Sequence, residues 1–274
     1  MDEITRMADD HTMAVQAWLS TRAPQARRFQ GIGVTAGSSG LAVPLLNLAL
    51  GGHYPPGTSD GTVAAEIKAV KTFFAANNVP WYWWLGPYPQ PPDMALRLER
   101  HGLTDDRSPL PALVAPLPAH FPPLNPDAQV WLAASQADLE AASTIRRIAF
   151  RFPDGADKRH PVAHDYFEAM ANDWLNGGPA RLYLARLPDG PPAAIGALIM
   201  GAGLPGVYVM ATLPEWTRRG LGKAILARIL SDATVDGHTL IVLTASQFGY
   251  PLYRQFGFEH IFDYAIYRPT QKGP

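Results

Sequence analysis

The stretch TRRGLGKA at positions 217–224 combines residue types that can hold an anion. Gly220 and Gly222 let backbone N–H groups approach a negatively charged ligand closely, and Arg218 and Arg219 can neutralise its charge. An apolar helical pattern follows immediately, so the partial positive charge of a helix start would add to the attraction. The stretch therefore predicts a site for a phosphate group.

Two common phosphate-binding motifs do not fit this stretch. A nucleotide P-loop needs glycine where Thr217 stands and serine or threonine where Ala224 stands. A dinucleotide fingerprint needs a small residue where Ile225 stands. The pattern that remains is a Q/R-x-x-G-x-G/A loop that follows a strand and opens a helix.

The elements that would position this loop are readable in the C-terminal half. Apolar periodicity and turn residues predict a mixed α/β fold with helices packed on a mixed sheet. Residues 191–214 carry no charge, but the turn GAGLPG divides them into two buried strands, which argues against a membrane span. The predicted strands are 129–135, 180–187, 193–200, 207–213, 238–246 and 258–268, and the predicted helices are 136–150, 165–175, a helix opened by the loop and ended by Gly237, and 249–258.

The strand ending in ATLPEW, the TRRGLGKA loop and the downstream YRQFGF together resemble the GNAT superfamily of CoA-dependent N-acyltransferases, over about residues 126–274. The resemblance implies that a strand edge pairs with pantetheine, that the loop holds the diphosphate of acetyl-CoA, and that Tyr253 donates a proton to the departing sulfur. It implies no metal. The cofactor-binding residues that it implies are Met210, Ala211, Thr212, Thr217, Arg218, Arg219, Gly220, Leu221, Gly222, Lys223 and Ser246.

Three departures from the family pattern affect this interpretation. Thr217 stands where the family usually has Gln or Arg, and Ser246 stands where many members have Asn. Relatives often carry a glutamate on the strand before the loop or the strand after the helix, but GVYVMATL and HTLIVLTA contain no carboxylate. An alkyl amine with a pKa of about 10.4 is neutral less than once in a thousand at pH 7, so a base relayed through water or a loop group such as His164 or Glu168 is expected.

The loop between the first two helices of this half carries further polar residues. His160 and His164 are four residues apart, but Pro161 interrupts a helix there and the sequence offers no third ligand, so a metal site is not predicted. The resemblance implies that this segment lies at the entrance for the acceptor substrate. A loop that is simply solvated is an equally open interpretation. The polar residues of this loop and of the start of the following helix are Arg151, Asp154, His160, His164, Asp165 and Glu168.

Composition narrows the function classes. The 274 residues carry a net charge of −1 without a run of Lys or Arg, which argues against a nucleic-acid or anionic-membrane partner. The absence of cysteine excludes disulfides and thiol catalysis and fits a cytoplasmic location. The N-terminus shows no secretory signal. We expect a monomer or homodimer.

The N-terminal half predicts helices at 11–23, 61–78 and 92–103, and strands at 41–50, 79–86 and 110–117. Residues 96–116 align faintly with 251–269, pairing Gly102 with Gly257, but Leu98 replaces Tyr253 and TSDG at 58–61 replaces the phosphate loop. We predict a tandem arrangement, with a degenerate GNAT-like domain at 1–122 and a catalytic domain at 123–274. The catalytic half alone would bind the cofactor, and a fragment beginning near residue 126 would keep the site with lower stability.

The sequence thus predicts an acetyl-CoA-dependent N-acetyltransferase that acts directly on the amine of a small molecule or peptide. A silent acyl-CoA-binding sensor or scaffold is the main alternative, because no carboxylate base is evident. O-acyl transfer also remains open. The acceptor cannot be named from the sequence.

Overall fold

The computed structural model describes residues 2–150, 167 and 170–270. Contacts divide the chain into two compact units. The N-terminal unit comprises Met1–Asp9, Met13–Pro111 and Phe262–Pro274, and the C-terminal unit comprises Asp10–Thr12 and Ala112–Ile261. The division into domains at 1–122 and 123–274 remains a prediction. The two compact units have different residue ranges, because each includes segments from both halves of the sequence.

The N-terminal unit is a mixed sheet with helices. Its strands lie in the order β1-β2-β3-β4-β12, with β5 pairing with β12, and only the β3–β4 pair is parallel. The elements, including the strand that crosses the boundary into it, are α1 (Glu3–Ser20), β1 (Arg27–Gln30), β2 (Val34–Ser38), β3 (Asn47–Gly51), α2 (Asp60–Asn77), β4 (Tyr82–Leu85), α3 (Met94–Arg100), β5 (Leu103–Asp105) and β12 (Glu259–Pro269).

The C-terminal unit has a second mixed sheet in the order β6-β11-β10-β9-β8-β7, in which only β10 and β11 are parallel. Helix α6 packs on β8, β9 and β10, and Ile225 and Ile229 on its inner face are fully buried. The elements are β6 (Leu110–Pro116), β7 (Gln129–Leu132), α4 (Gln136–Ala149), α5 (Ala171–Leu175), β8 (Ala180–Arg186), β9 (Ala194–Gly201), β10 (Leu204–Thr212), α6 (Leu221–Val235), β11 (Leu240–Thr244) and α7 (Tyr250–Arg254).

The two halves of the sequence repeat one order of elements: three antiparallel strands, a helix, a strand parallel to the third, a short helix and a strand. This order is β1-β2-β3-α2-β4-α3-β5 in the first half and β8-β9-β10-α6-β11-α7-β12 in the second. Gly102 after α3 and Gly257 after α7 both have a left-handed φ, +77° and +80°, which suits the residue that ends a helix. The faint sequence repeat therefore corresponds to a repeated local structure.

Each sheet includes a strand from the other half of the sequence. Residues 112–116 of β6 pair antiparallel with β11, and residues 265–267 of β12 pair antiparallel with β4. A fragment beginning near residue 126 would therefore lack β6, and the backbone groups along that edge of β11 would lose their partners. That such a fragment keeps the cofactor site stays a prediction, and this pairing explains why its stability should be lower, because the loss of a neighbouring strand exposes unpaired backbone groups.

Most predicted elements are present, and the main differences lie near the N-terminus. The strand predicted at 41–50 is a short 3-10 turn, Pro44–Leu46, followed by β3. The short strands β1 and β2, RRFQ and VTAGS, were not predicted, because they lack a run of alternating large apolar residues. The second helix of the C-terminal half, predicted at 165–175, is described only from Ala171 to Leu175. No helix in the described part of the chain is long and apolar enough to cross a bilayer.

His11 is a fully buried polar residue in the C-terminal unit. Its Nδ1 donates to the carbonyl oxygens of Gly201 (2.9 Å) and Leu204 (3.1 Å), its Nε2 has no partner, and its ring stacks on Tyr208. A side chain at position 206 would collide with Nε2, so Gly206 leaves the space for the ring. Burial lowers the pKa of His11 from 6.5 to about 4, so the folded protein holds this imidazole neutral.

We predict that this histidine makes the protein less stable in mild acid. Between pH 6.5 and 4 the unfolded chain protonates His11 and the folded protein does not, so the free energy of unfolding should fall as the pH falls, by up to about 3 kcal/mol. Denaturant unfolding at several pH values measures this slope. His11→Asn, which can keep a donor toward the two carbonyls, should flatten it, whereas His120→Asn at an exposed position should not. Equal slopes in all three proteins would contradict the assignment.

Candidate functional site

Strand β10 contains a bulge that opens one of its edges. Its register with β9 shifts between Tyr208 and Ala211, and Val209 has a φ of 52°, which is unfavourable for a β-branched residue. Its parallel pairing with β11 consists of a single register pair, Gly206 with Val242. We use the term open seam for residues 210–212, where β10 has no pairing with β11. Backbone groups along this edge are available to an extended ligand.

The segment after β10 turns sharply toward α6. A 3-10 turn at Pro214–Trp216 comes first, and the Thr217 hydroxyl donates to the Pro214 carbonyl over 2.9 Å. Arg218 and Gly220 then adopt left-handed φ values of 60° and 86°. Since Thr217 uses its proton within the turn, its side chain is not free to donate to a phosphate as the family's usual Gln or Arg would.

The N-terminus of α6 is left open. Gly220 is its N-cap residue, so no side-chain oxygen caps it, and no acidic residue lies in its first turn. Within the described residues, nothing accepts a hydrogen bond from the backbone N–H groups of Gly220, Leu221, Gly222 and Lys223. These donors and the helix dipole together form a site that favours an anion.

A cleft of about 690 Å³ lies over this helix start. Three cations line it and none of its lining residues is acidic. The Arg219 guanidinium lies 4.8 Å from the centre of the Trp216 ring, a cation–π contact that restrains the arginine side chain. The lining residues are Pro123, Asn125, Thr212, Trp216, Thr217, Arg218, Arg219, Gly220, Leu221, Gly222, Lys223, Phe248 and Leu252.

Eight of these lining residues were predicted as cofactor-binding residues, and five were not. Trp216 and Phe248 are aromatic neighbours of the predicted motifs, so their positions beside the loop and after β11 were a usable signal. Pro123 and Asn125 precede the loop by more than 90 residues, and no local pattern connects them to it. Met210, Ala211 and Ser246 do not line the cleft; the first two belong to the open seam.

Tyr253 lies on α7, where it is 7% exposed and does not line the cleft. Its ring packs edge-on against Phe258, with the ring centres 5.8 Å apart. Burial raises the pKa of Tyr253 above its usual value, so the hydroxyl stays protonated at neutral pH. Ser246 organises the start of α7, since its hydroxyl oxygen accepts a hydrogen bond from the Gly249 N–H over 3.2 Å.

The predicted loop groups Arg151, Asp154, His160, His164, Asp165 and Glu168 lie outside the described residues. Their role at an acceptor entrance, and that of His164 or Glu168 as a base, stay predictions. Among the residues that the structure describes, no group of three or more His, Cys, Asp or Glu side chains could hold a metal ion.

The corresponding positions of the N-terminal unit are closed. The Ser59 hydroxyl caps α2 by accepting from the Thr62 N–H over 3.1 Å, and Asp60 in the first turn forms an ion pair with Arg97. The parallel strands β3 and β4 pair continuously at three register positions, from Leu48 to Leu50. This unit therefore lacks both the open seam and the uncapped helix start. The negative charge of Asp60 at its helix start would repel a phosphate.

Comparisons with known proteins agree with this architecture. Residues 202–261 match the acetyltransferase (GNAT) domain family. No curated protein matches the sequence. A GCN5-related N-acetyltransferase from Kribbella flavida has a TM-score of 0.71 at 22% identity, over 99% of this chain and 97% of that one.

Two further solved structures share the fold. A GCN5-related N-acetyltransferase from Sphaerobacter thermophilus has a TM-score of 0.61 at 15% identity, over 87% of this chain and 80% of that one. A tandem GNAT protein from the clavulanic acid biosynthesis pathway has a TM-score of 0.62 at 12% identity, over 95% of this chain and 89% of that one. Residues 202–261 are therefore similar to the GNAT domain family, and the fold along nearly the whole chain is similar to that of GCN5-related N-acetyltransferases, a tandem GNAT protein among them.

Proposed function

We propose that the C-terminal unit transfers an acetyl group from acetyl-CoA directly to the amine of a small molecule or peptide. One observation carries the proposal: the open seam of β10 leads into an uncapped, acid-free helix start within the same unit. An extended polar chain that ends in a diphosphate matches both features. The match of residues 202–261 to the GNAT domain family supports acyl transfer in general, and the acetyl donor and amine acceptor are the finer proposal.

The residues present fit CoA. The amide groups of its pantetheine arm are suited to backbone groups of Met210, Ala211 and Thr212, as an added strand would be. Its diphosphate is suited to the free N–H groups of residues 220–223, with Arg218, Arg219 and Lys223 supplying positive charge. Bound acetyl-CoA would supply a thioester as the activated acyl group.

Tyr253 is the proposed general acid. A departing thiolate has the basicity of a thiol with a pKa of about 8.5, and the buried tyrosine stays protonated above that pH because burial raises its pKa. Its hydroxyl is then in the donor form throughout the neutral range. Protonating the sulfur makes the reverse attack less favourable.

The amine must lose a proton before or during attack, a cost of roughly 4–5 kcal/mol for an ordinary alkyl amine at pH 7. Neither β10 nor β11 carries an Asp or Glu that could accept it. We therefore propose removal through water, or by a loop group such as His164 or Glu168.

The missing carboxylate also favours a second candidate, a catalytically silent acyl-CoA-binding sensor or scaffold. Release of free thiol from acetyl-CoA in the presence of a panel of amines separates the two candidates. Turnover supports the enzyme, and tight binding without release supports the sensor.

The proposal also covers the cellular location, the partners and the oligomeric state of the protein. The cysteine-free chain fits a reducing cytoplasm, and the balanced charge argues against nucleic acid as a partner. A monomer or a homodimer would suffice, because the open seam and the cleft belong to one unit of one chain.

We predict that Gly220→Val raises the Kd for acetyl-CoA at least tenfold. A Cβ there would lie 2.8 Å from the Asn125 Cβ, and the φ of 86° is strained for valine, so the loop must move. Isothermal titration measures the change. Gly237→Val is the matched control, because Gly237 has a φ of 87° beyond the other end of α6 with open space around it. It should cost similar stability and leave the Kd unchanged. Unchanged affinity in folded Gly220→Val would refute the diphosphate assignment.

Tyr253→Phe should lower kcat about 100-fold or more while the Kd for acetyl-CoA hardly changes, because the ring stays and only the donor is lost. Steady-state kinetics and titration provide the two numbers. Tyr183→Phe is the control: it removes another buried hydroxyl of the same unit, one that donates to Asp232 over 2.8 Å and lies on β8. If kcat of Tyr253→Phe stays within a factor of three of wild type, this tyrosine serves packing only.

Titration with CoA should give one site per chain. The N-terminal unit has Ser59 and Asp60 at its helix start, paired parallel strands, and the fully buried Leu98 where the other half has Tyr253. Each of these features opposes CoA binding or catalysis. A stoichiometry of two would contradict the degenerate N-terminal half.

A further inference from the structure

The proline-rich segment 116–126 contains the predicted domain boundary between residues 122 and 123, and all of it belongs to the C-terminal unit, which includes Ala112–Ile261. The Leu117 N–H donates to the Thr239 carbonyl over 2.9 Å, just before β11. The Phe121 ring lies 6.1 Å from the Phe256 ring, centre to centre. These contacts fix the segment on the unit that holds the cleft, and its next residues reach the phosphate loop.

Asn125 connects this segment to the loop. Its Nδ2 donates to the Arg219 carbonyl over 2.9 Å, and its Oδ1 accepts from the Asp127 N–H over 2.9 Å. Its own carbonyl accepts from the Ala128 N–H over 3.2 Å. Both ends of the amide are therefore used, which orients the side chain and makes the donor at Nδ2 a fixed point for the loop.

The bond to the Arg219 carbonyl determines the orientation of the next N–H group. In a trans peptide the C=O and the following N–H point in opposite directions, so a carbonyl turned toward Asn125 turns the Gly220 N–H away from it. That N–H is the first of the four unpaired donors at the start of α6. The Asn125 Cβ also occupies the space into which a side chain at position 220 would project.

We infer that Asn125 is a positioning residue for the phosphate loop. It acts through the Arg219–Gly220 peptide, holding the loop donors in place before an anion arrives. The inference rests on the proposed function, because it assigns the anion to the CoA diphosphate. Preorganisation of this kind lowers the entropy lost on binding, so its removal should weaken affinity without changing the chemistry at the thioester.

Three variants of the full chain test the role. Asn125→Ala removes both side-chain bonds and should raise the Kd for CoA about threefold to tenfold. Asn125→Asp keeps the acceptor for the Asp127 N–H but replaces the donor with a carboxylate facing the Arg219 carbonyl, and should raise the Kd more than tenfold. Asn176→Ala, which removes an exposed amide that bonds Asn172 elsewhere in the unit, should leave the Kd unchanged. Thermal unfolding checks that each variant is folded.

The aspartate variant separates positioning from a local structural role. If Asn125 only shapes its own turn, Asn125→Asp weakens CoA binding only through repulsion between its carboxylate and the diphosphate, so its Kd returns to that of wild type when both are measured in high salt, and the inference is wrong. If the donor matters, the Kd of Asn125→Asp stays above that of wild type in high salt, with the KM for acetyl-CoA raised and kcat within twofold of wild type. Should the alanine variant not fold, the aspartate variant alone still decides.

The proposed function and this inference fail in different ways. Wild-type protein that does not bind CoA overturns both. If wild-type protein binds CoA and both Asn125 variants bind it as tightly as wild type does, the positioning role is wrong and the proposed function still stands.

Discussion

The parallel pair β10–β11 is joined at one register position, and the proposed chemistry depends on this incomplete pairing. A fully paired strand has no backbone groups left for a ligand, whereas the bulge at Val209 directs β10 away from β11 over residues 210–212. The conformation is costly for a β-branched residue at a φ of 52°, of order 1–3 kcal/mol. Continuous pairing of β10 with β9 on both sides of the bulge, and α6 packed over β9, hold the strand in this conformation.

The N-terminal unit shows what the same order of elements looks like without that opening. Its parallel pair is continuous from Leu48 to Leu50, and its equivalent helix is capped by Ser59 and carries Asp60 in the first turn. These are ordinary stabilising features of a helix start. In the C-terminal unit, glycine at the cap position forgoes that stabilisation, leaving donors free for an anion. The contrast between the units rests on a few backbone conformations and one capping side chain, within one shared element order.

The exchange of final strands makes the two halves of the sequence depend on each other. Strand β6, from the first half, completes the sheet beside β11, and β12, from the second half, pairs with β4. The first half of the sequence has no phosphate loop of its own, but its strand β6 completes the sheet of the unit that carries the loop. The segment that follows β6 supplies Asn125 to the loop.

The sequence by itself determined the order of elements in the C-terminal half, the helix opened by the TRRGLGKA loop, and the cluster of arginines and glycines in that loop. Those features are local: periodicity, turn residues and capping chemistry act over a few residues. It also indicated the repeat, through Gly102 and Gly257, whose left-handed φ values follow from local helix termination. The short strands β1 and β2 were not predicted, because their residues form strands through the pairing of β1 with β2 and of β2 with β3 rather than through their own pattern.

Only the tertiary structure decided which strands are neighbours, where the parallel pair opens, and which distant residues reach the loop. Pairing of β6 with β11, and the bond from Asn125 to Arg219 across 94 positions, arise from chain segments brought together by burial of shared apolar surface, and no local pattern encodes them. The same holds for His11, an ordinary helical residue in the sequence whose lowered pKa comes from its burial. Such properties belong to the packed environment of a residue, which is set by the whole chain.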